Sequence, residues 1–245
     1  MIILAAALVR ARFGDRQGKI TPLDDVARTG KMYRGAGKYH LDYPNGMNAG
    51  PSWSQYGQDH WIDTHTSHGK SPFFVEVGGY DGEKFSNTLF LEKHRGWDGL
   101  LIEANPYTFD ILRSRDRKCW AANACLSDTV PDMTFIISGS TTSATKTMTD
   151  KFRARVKNDV ATYGTSGDKR WVHAGEKVTT QCRSLASMMA EIGRNHIDYF
   201  SLDVEGAEMF ILKSIPFDSI TISVFTIELD QHSTEIVAFM ESKGY

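Results

Sequence analysis

Short apolar runs alternate with segments of helical spacing from residue 73 onward, and this alternation constrains the fold more than any other feature. The runs FFVEV, GLLIE, CWAAN and IDYFSL are nearly continuous in apolar residues, while SNTLFLEKHRG and NPYTFDILRSRD lie between them. A strand that is apolar on both sides is buried on both faces, which requires covering helices. The sequence therefore predicts an α/β fold: a doubly wound, mostly parallel sheet with helices on both faces.

Turn and capping residues place the individual elements. We predict strands at FFVEVGG, GLLIEAN, CWAANACLSD, MTFIIS, NHIDYFSLDVEG and ITISVFTIELD. Helices are predicted at SNTLFLEKHRG, with Ser86 as N-cap and Gly96 as stop, and at NPYTFDILRSRD, with Pro106 in the first turn. Further helices are predicted at SWSQYGQDHWIDTHT, AEMFILKSI and STEIVAFMESKGY. A C-terminal strand pair that would close such a sheet is not evident after the last helix.

Two regions are expected along the chain. Residues 1–52 are rich in Gly, Pro, Asn and charge and predict an irregular lead-in, and residues 53–245 predict one α/β domain. Residues 139–178 are rich in Ser and Thr and then basic, without a clear strand. They indicate either a solvated loop with one amphipathic helix or a lid over a substrate. The net charge of −2 gives no electrostatic case for nucleic acid.

The N-terminus and the cysteines bear on the compartment. The apolar run Met1–Val9 is too short to cross a bilayer and lacks the features of a signal peptide, although it fits the remnant of a longer anchor. We find no N-x-[ST] sequon, and a cytoplasmic setting is therefore expected. The 3 cysteines form an odd count without a C-x-x-C pair, so we expect neither a disulfide framework nor a zinc knuckle.

The stretch FFVEVGGYDG is typical of a strand that ends in a ligand loop. Gly78, Gly79 and Gly82 allow backbone to approach a ligand, but their spacing is not the G-x-G-x-x-G of dinucleotide sites. Glu76 precedes the turn, where an acid repels a pyrophosphate and suits a positively charged ligand. A tight turn beside a solvent-facing Glu76 is the alternative.

Acidic and polar residues end the next two strands. Glu103 ends GLLIE, where an acid can accept both hydroxyls of a ribose, as in adenosine-bearing cofactors. Ser127 and Asp128 end the third strand, where a polar side chain can reach an adenine edge. The combination of a glycine loop and Glu103 favours a nucleoside cofactor.

The block FVEVGGYDGEKFSNTLFLEKHRGWDGLLIEANPYTFDILRSRDRKCWAANACLSD resembles the FkbM-type family of S-adenosylmethionine-dependent methyltransferases, as do IDYFSLDVEGAEMFILKSI and SQYGQD. The resemblance implies a class I methyltransferase fold of Rossmann-like type. It also implies that Glu76, Gly78 and Gly82 line the methionine part of S-adenosyl-L-methionine, with Glu103 on the ribose. The predicted cofactor-binding residues are Glu76, Gly78, Gly79, Tyr80, Asp81, Gly82, Asn87, Glu103, Ala104, Asn105, Ser127 and Asp128.

An acidic cluster follows the strands IDYFSL and TIEL. Strand alternation and a shared sheet edge are expected to bring Asp203, Glu205, Glu228 and His232 into one cleft, and these are the predicted catalytic residues. Crowded carboxylates raise one another's pKa, which favours a general base. A divalent cation held by these oxygens is an alternative, although we assign no metal ligands. A capping cluster that only shapes the loop is another.

These features favour a methyltransferase that acts on a hydroxyl of a small molecule or a glycan. The alternative is a non-catalytic methyltransferase-like domain that binds a partner. A nicotinamide-dependent oxidoreductase is disfavoured because the first strand lacks G-x-G-x-x-G. The oligomeric state is left open by the sequence.

Overall fold

The computed structural model describes residues 30–48, 50–66 and 69–245. The apolar N-terminal run, and with it the expectation about an anchor, lies outside these described residues. Among the residues that are described, no helix has the length and apolar character needed to cross a membrane.

The described chain folds into alternating strands and helices. The strands are β1 (Met32–Arg34), β2 (Phe73–Val77), β3 (Asp98–Glu103), β4 (Trp120–Asn123), β5 (Cys125–Leu126), β6 (Asp132–Ile136), β7 (Ser143–Ala144), β8 (Lys177–Arg183), β9 (His196–Leu202) and β10 (Thr221–Ile227). The helices are α1 (Gln58–His65), α2 (Leu89–Arg95), α3 (Pro106–Ser114), α4 (Asp150–Tyr163), α5 (Leu185–Ile192), α6 (Glu208–Ser214) and α7 (Ser233–Ser242), and Gly139–Thr141 form a 3-10 turn.

The main sheet has 6 strands in the order β1-β4-β3-β2-β9-β10. Its pairs from β4 to β10 are parallel, whereas β1 runs antiparallel to β4. The predicted α/β class is therefore confirmed, and the sheet is mixed rather than wholly parallel. The strand β1 belongs to the segment expected to be irregular, so part of that lead-in contributes to the sheet.

A second sheet of 4 strands, β5-β8-β6-β7, stands beside the main sheet. The predicted strand CWAANACLSD breaks at Ala124 into β4 and β5, and the predicted strand MTFIIS is β6 of this second sheet. The strand β8 and the helix α5 were not predicted from the sequence. The polar strand β8 has exposed, intermediate and buried positions without a regular apolar alternation, which explains why it was missed.

Local chemistry sets the ends of the helices. Pro106 lies in the first turn of α3 and Gly96 ends α2 in a left-handed conformation, both as predicted. Asn105 caps α3, because its side chain accepts from the backbone N of Tyr107. The prediction that Ser86 is the N-cap of α2 is wrong, because Thr88 is the N-cap residue. The hydroxyl of Ser86 still accepts from the N of Leu89 over 3.2 Å, so it supports the first turn from outside the helix.

Alternate residues of β2 point to opposite faces of the sheet, and each face packs on helices. Phe73 and Val75 belong to a cluster with residues of α5, α6 and α7. Phe74 belongs to a second cluster with residues of α1, α2 and α3. Burial of each large apolar side chain contributes about 1.5–3 kcal/mol. The period of two also places Glu76 on the same face as Phe74.

A disulfide joins Cys125 to Cys182, contrary to the expectation from the cysteine count. The two residues lie opposite each other in the parallel pair β5 and β8, a proximity that their spacing in the sequence does not reveal. Cys119 is the remaining thiol and is buried.

Candidate functional site

A close crossing of two strand ends forms the centre of the site. Gly78 follows β2 with a φ of 90°, and a β-carbon there would lie 1.8 Å from the carbonyl oxygen of Asp203. The N of Gly78 donates to the O of Ile102 over 2.9 Å, and the N of Asp203 donates to the O of Val77 over 3.1 Å. Only glycine fits at this point, which brings the ends of β2, β3 and β9 together.

The glycine loop is held by the acid at the end of β3. The Oε2 of Glu103 accepts from the N of Tyr80 over 2.7 Å, and its Oε1 accepts from the N of Asn105 over 2.8 Å and from the hydroxyl of Thr108 over 3.2 Å. Tyr80 has a φ of 49°, which is rare for a bulky residue. Burial raises the pKa of Glu103 to about 7, against the opposing effect of these hydrogen bonds.

A cavity opens at the carboxyl edge of the main sheet. Its lining comes from the ends of β2, β3 and β9 of the main sheet, from β5 and β6 of the second sheet, from the 3-10 turn and from α6. It is lined by Val77, Gly78, Tyr80, Ile102, Glu103, Ala104, Ala124, Cys125, Leu126, Met133, Phe135, Gly139, Ser140, Thr142, Asp203, Val204, Glu205, Ala207, Phe210 and Ile211. Its mostly apolar lining with few carboxylates is typical of a small-molecule site.

Of the predicted cofactor residues, Gly78, Tyr80, Glu103 and Ala104 line this cavity. Gly79 and Gly82 do not line it and instead face Leu112 of α3, where β-carbons would lie 3.2 and 3.0 Å from its side chain. These two glycines therefore serve the close packing of the loop on α3.

Glu76 does not line the cavity. Its carboxylate accepts from the hydroxyl of Ser86 over 2.9 Å, from the N of Asn87 over 2.7 Å and from the hydroxyl of Thr88. Arg117 lies 4.0 Å away, and burial raises the pKa of Glu76 in spite of these partners. The structure therefore places Glu76 as an organiser of the segment between the glycine loop and α2.

Asp81 also lies behind the cavity wall. Its Oδ2 accepts from the Nε of Arg170 over 2.6 Å, and its Oδ1 accepts from the N of Glu83 and the N of Lys84 over 3.0 and 2.7 Å. A second cation, Arg115, is 3.6 Å away. This buried ion pair fastens the segment 139–178 to the glycine loop.

The other predicted cofactor residues are engaged by their neighbours. Ser127 is buried and its hydroxyl accepts from the N of Thr129 over 3.1 Å, while Asp128 is exposed. Neither lines the cavity, nor does the helix cap Asn105. Asn87 donates to the hydroxyl of Ser201 over 2.9 Å, and its Oδ1 has no hydrogen-bond partner among the described residues.

The structure brings three of the four predicted catalytic residues together. Carboxylate oxygens of Asp203, Glu205 and Glu228 lie within 4.8 Å of one another, and Asp203 and Glu205 also line the cavity. His232 does not line it; it precedes α7, with its Nδ1 3.5 Å from the Oε2 of Glu235. Oxygen sets of this kind can hold a divalent cation or share a proton.

Burial and the charges of neighbouring carboxylates raise the pKa of each of these three carboxyl groups. Burial is the largest cause for Asp203, Glu205 and Glu228, and the charge of Asp203 raises the pKa of the other two further. A hydrogen bond between Asp203 and Glu228 acts in the opposite direction on Asp203. The pair therefore shares a proton in the pH range where an isolated carboxyl is ionised.

A basic residue on α4 faces this cluster and was not predicted as a site residue. The guanidinium of Arg155 lies 3.6 Å from the Oε2 of Glu205 and 3.1 Å from the Oδ2 of Asp230. The signal in the sequence was the basic stretch around residues 146–157, but nothing in it singled out Arg155. Glu205 itself has a φ of 57°, and strained backbone of this kind clusters at functional sites.

The buried residue Gln231 was also missed. Its Oε1 accepts from the N and the hydroxyl of Thr149 over 3.0 and 2.7 Å, which ties α4 to the end of β10. Its Nε2 has no hydrogen-bond partner among the described residues and lies against Gly206, where a β-carbon would come within 2.2 Å. A polar residue just after a strand carries no signal that would identify it in advance.

Comparison with known proteins identifies the family. The chain has no significant match among curated proteins and none among solved structures. The model of the methyltransferase FkbM domain matches residues 76–245, which contain the glycine loop, Glu103 and the acidic cluster. The chain belongs to the FkbM methyltransferase domain family.

Proposed function

We propose that this chain is an S-adenosyl-L-methionine-dependent methyltransferase that methylates a hydroxyl oxygen of a small molecule or a sugar. One observation carries the proposal: Glu103 and Asp203 line a single cavity where the ends of β2, β3 and β9 meet at Gly78. Ligands of open α/β sheets bind at this edge. The main sheet is interpreted as a doubly wound class I methyltransferase sheet to which β1 adds an antiparallel edge.

The residues present fit a sulfonium nucleoside. An ionised carboxylate has about four acceptor positions, and Glu103 uses part of that capacity for Tyr80, Asn105 and Thr108. It therefore retains about one acceptor position, on Oε2, for a ribose hydroxyl. Gly78 and Tyr80 are proposed to face the methionine part, where a carboxylate-rich edge suits a positive sulfonium better than it suits a phosphate.

The nucleobase is proposed to lie against the apolar part of the cavity. Leu126, Met133 and Phe135 form this wall, and a flat base gains from contact with apolar side chains. In this placement Leu126 contacts the adenine in place of Ser127 and Asp128. The hydroxyl of Ser127 already accepts from two backbone N–H groups.

The acidic cluster is proposed to handle the proton of the acceptor. The bound cofactor supplies a methyl group on a leaving group that is already activated. Asp203 lines the cavity and is the residue proposed to accept the hydroxyl proton, while Glu228 behind it holds a proton and orients Asp203 through their hydrogen bond. Arg155 limits the negative charge that accumulates on Glu205. Alignment and exclusion of water supply much of the remaining acceleration.

The test combines ligand binding with transfer. Thermal unfolding is measured with S-adenosylhomocysteine, S-adenosylmethionine and NAD, and ligand at about 100 times its dissociation constant stabilises the folded state by about 2.7 kcal/mol. We expect stabilisation by the adenosyl-sulfur ligands and none by NAD. Transfer of a labelled methyl group is then measured on a panel of sugars and small hydroxyl compounds.

Two variants separate the roles of the two acids. Glu103→Ala is expected to abolish the stabilisation, whereas Asp203→Asn is expected to keep it and lose methyl transfer. No stabilisation of the native chain by either adenosyl-sulfur ligand would sink the cofactor assignment. Firm binding without transfer to any acceptor in the panel would contradict the catalytic part and leave a methyltransferase-like binding domain.

A further inference from the structure

The disulfide between Cys125 and Cys182 is part of the wall of the cofactor cavity. Cys125 lines the cavity together with its neighbours Ala124 and Leu126. Its partner Cys182 lies in β8, which pairs with β5 on one side and on the other with β6, the strand that contributes Met133 and Phe135 to the lining. The bond therefore fastens β5 to the second sheet, whose strands β5 and β6 both line the cavity in which we place the cofactor.

The backbone pairing of β5 with β8 is short in the described part of the chain. It covers Cys125 with Cys182 and Leu126 with Arg183. The N of Ser127 also donates to the O of Arg183 over 2.9 Å, and the hydroxyl of Thr180 donates to the O of Ala104 over 2.8 Å. The bridge spans a sequence separation of 57, and the enclosed segment contains β6, β7 and α4.

We propose that Cys125–Cys182 is a thiol–disulfide exchange site whose reduction weakens cofactor binding. This inference rests on the proposed function, because it concerns regulation of the same cavity. In the oxidised form the bond holds the α-carbons of the two residues 4.3 Å apart. Two free thiols must separate to van der Waals distance, which pushes β5 away from β8 and displaces the wall that carries Ala124 and Leu126.

A small monothiol such as glutathione is the reductant in this exchange. Its thiolate attacks the sulfur of Cys125, the residue that lines the cavity, and Cys182 leaves as a thiolate that takes up a proton. A second thiolate then attacks the mixed disulfide. In total, two thiols are oxidised to one small-molecule disulfide while the protein disulfide gains two electrons and two protons.

The third cysteine provides an internal control. Cys119 is buried in the cluster between the main sheet and α1–α3, and burial raises the pKa of its thiol well above the usual range. A thiol of this kind is inert in exchange, because the thiolate is the reactive form. In the cytoplasm, where thiols are kept reduced, the binding-competent oxidised form accumulates only under oxidising conditions.

In this proposal, ligand binding in the cavity and formation of the Cys125–Cys182 disulfide favour each other. If oxidation strengthens the binding of S-adenosylhomocysteine, then the bound ligand must favour the oxidised form by the same factor. The ligand also covers the approach to Cys125, so it is expected to slow reduction.

The experiment measures S-adenosylhomocysteine binding by calorimetry to the full chain in oxidised and reduced glutathione buffers, with the thiol state verified by alkylation and mass spectrometry. We expect about tenfold weaker binding after reduction. Saturating S-adenosylhomocysteine then shifts the midpoint potential of the Cys125–Cys182 pair by about 30 mV. Cys119→Ala is expected to respond like the native chain. The double variant Cys125→Ala/Cys182→Ala has no sulfur atoms that must separate, so it is expected to bind with the affinity of the oxidised native chain in both buffers.

Equal affinity in the two buffers would overturn the inference while leaving the cofactor assignment intact. Weaker binding of the double variant in the reduced buffer than in the oxidised buffer would overturn it as well, because that variant has no Cys125–Cys182 disulfide to reduce. If the double variant does not fold, the native chain and Cys119→Ala decide the question through their redox response. Absence of binding in both buffers overturns the proposed function, and the inference with it.

Discussion

The backbone N–H of Tyr80 donates to the Oε2 of Glu103 over 2.7 Å, so the glycine loop after β2 and the acid that ends β3 form one unit. The side that faces the cavity is available to a ligand, and the other side is closed by Asn105 and Thr108. A change in the charge of Glu103 therefore acts on the loop and on the ligand together.

We expect the affinity for S-adenosylhomocysteine to rise with pH through about 7. Burial raises the pKa of Glu103 from 4.5 to about 7, so the carboxylate proposed to accept a ribose hydroxyl is mostly protonated at pH 6 and mostly ionised at pH 8. Calorimetry should show about tenfold weaker binding at pH 6 than at pH 8.

Variants identify the group responsible for that pH dependence. Glu103→Gln should bind weakly at every pH and lose the dependence. Glu208 titrates in the same range but does not line the cavity, so Glu208→Gln should retain the dependence. A profile that is flat in the native chain, or that disappears in Glu208→Gln instead, would contradict the role of Glu103.

Gly78→Ala should destabilise the fold by about 3 kcal/mol or more. A β-carbon at this position combines a left-handed φ of 90° with an approach of 1.8 Å to the backbone oxygen of Asp203. Gly96 is the matched control, because its φ is 73° and no atom of the described residues lies within 4 Å of its β-carbon position. Gly96→Ala should cost about 1 kcal/mol because of its left-handed conformation alone. Urea unfolding measures both, and equal costs would show that the crossing of β2 and β9 is not tight.

Arg170→Met should destabilise the chain by about 3 kcal/mol. Arg170 and Asp81 are buried, and their contact is 2.6 Å long, so removal of this cation takes away the shortest ion-pair contact of Asp81 and leaves Arg115 at 3.6 Å. Lys169→Met is the control, because Lys169 is exposed and 3.9 Å from Asp42, and such a surface pair contributes about 0–1 kcal/mol. Urea unfolding distinguishes the two. If both variants lose the same small amount, the segment 139–178 is not fastened through Arg170.

Patterns that repeat along one element were predictable from the sequence. The apolar strands β2, β3 and β9, the cap Asn105 and the end of α2 at Gly96 all follow from local chemistry, and they place Gly78, Glu103 and Asp203 at one edge of a sheet. Parallel strands all end at the same edge of the sheet, whatever the strand order. The residues Gly78, Glu103 and Asp203, at the ends of three strands, could therefore be assigned to one cleft from the sequence.

Contacts between distant segments were not predictable. Arg170 was one of several basic residues in an irregular segment, and its pairing with Asp81 depends on how that segment folds back. The pairing of Cys125 with Cys182 likewise depends on the register of β8, a strand without apolar alternation. Glu76 was recognisable in the sequence as an acid next to the glycine loop. The alternation of side chains along β2, however, places its carboxylate on the face covered by α2 and not in the cavity.

Replacement of Glu228 should reduce the loss of stability that accompanies a rise in pH. Burial and the charges of Asp203 and Glu205 raise the pKa of Glu228. A carboxyl with a raised pKa in the folded state binds its proton more tightly there than in the unfolded chain, so stability falls as pH rises above 4.5, the ordinary value. Glu228→Gln keeps a neutral group of similar shape and removes this contribution.

Thermal unfolding at pH 5, 6, 7 and 8 tests this prediction. The melting temperature of Glu228→Gln should fall less between pH 5 and 8 than that of the native chain. Glu191→Gln is the control, because Glu191 is exposed and pairs with Arg183 at the surface, and it should follow the native curve. A native-like slope in Glu228→Gln would mean that Glu228 is ionised at neutral pH, and the proton that orients Asp203 would then have to come from another group of the cluster.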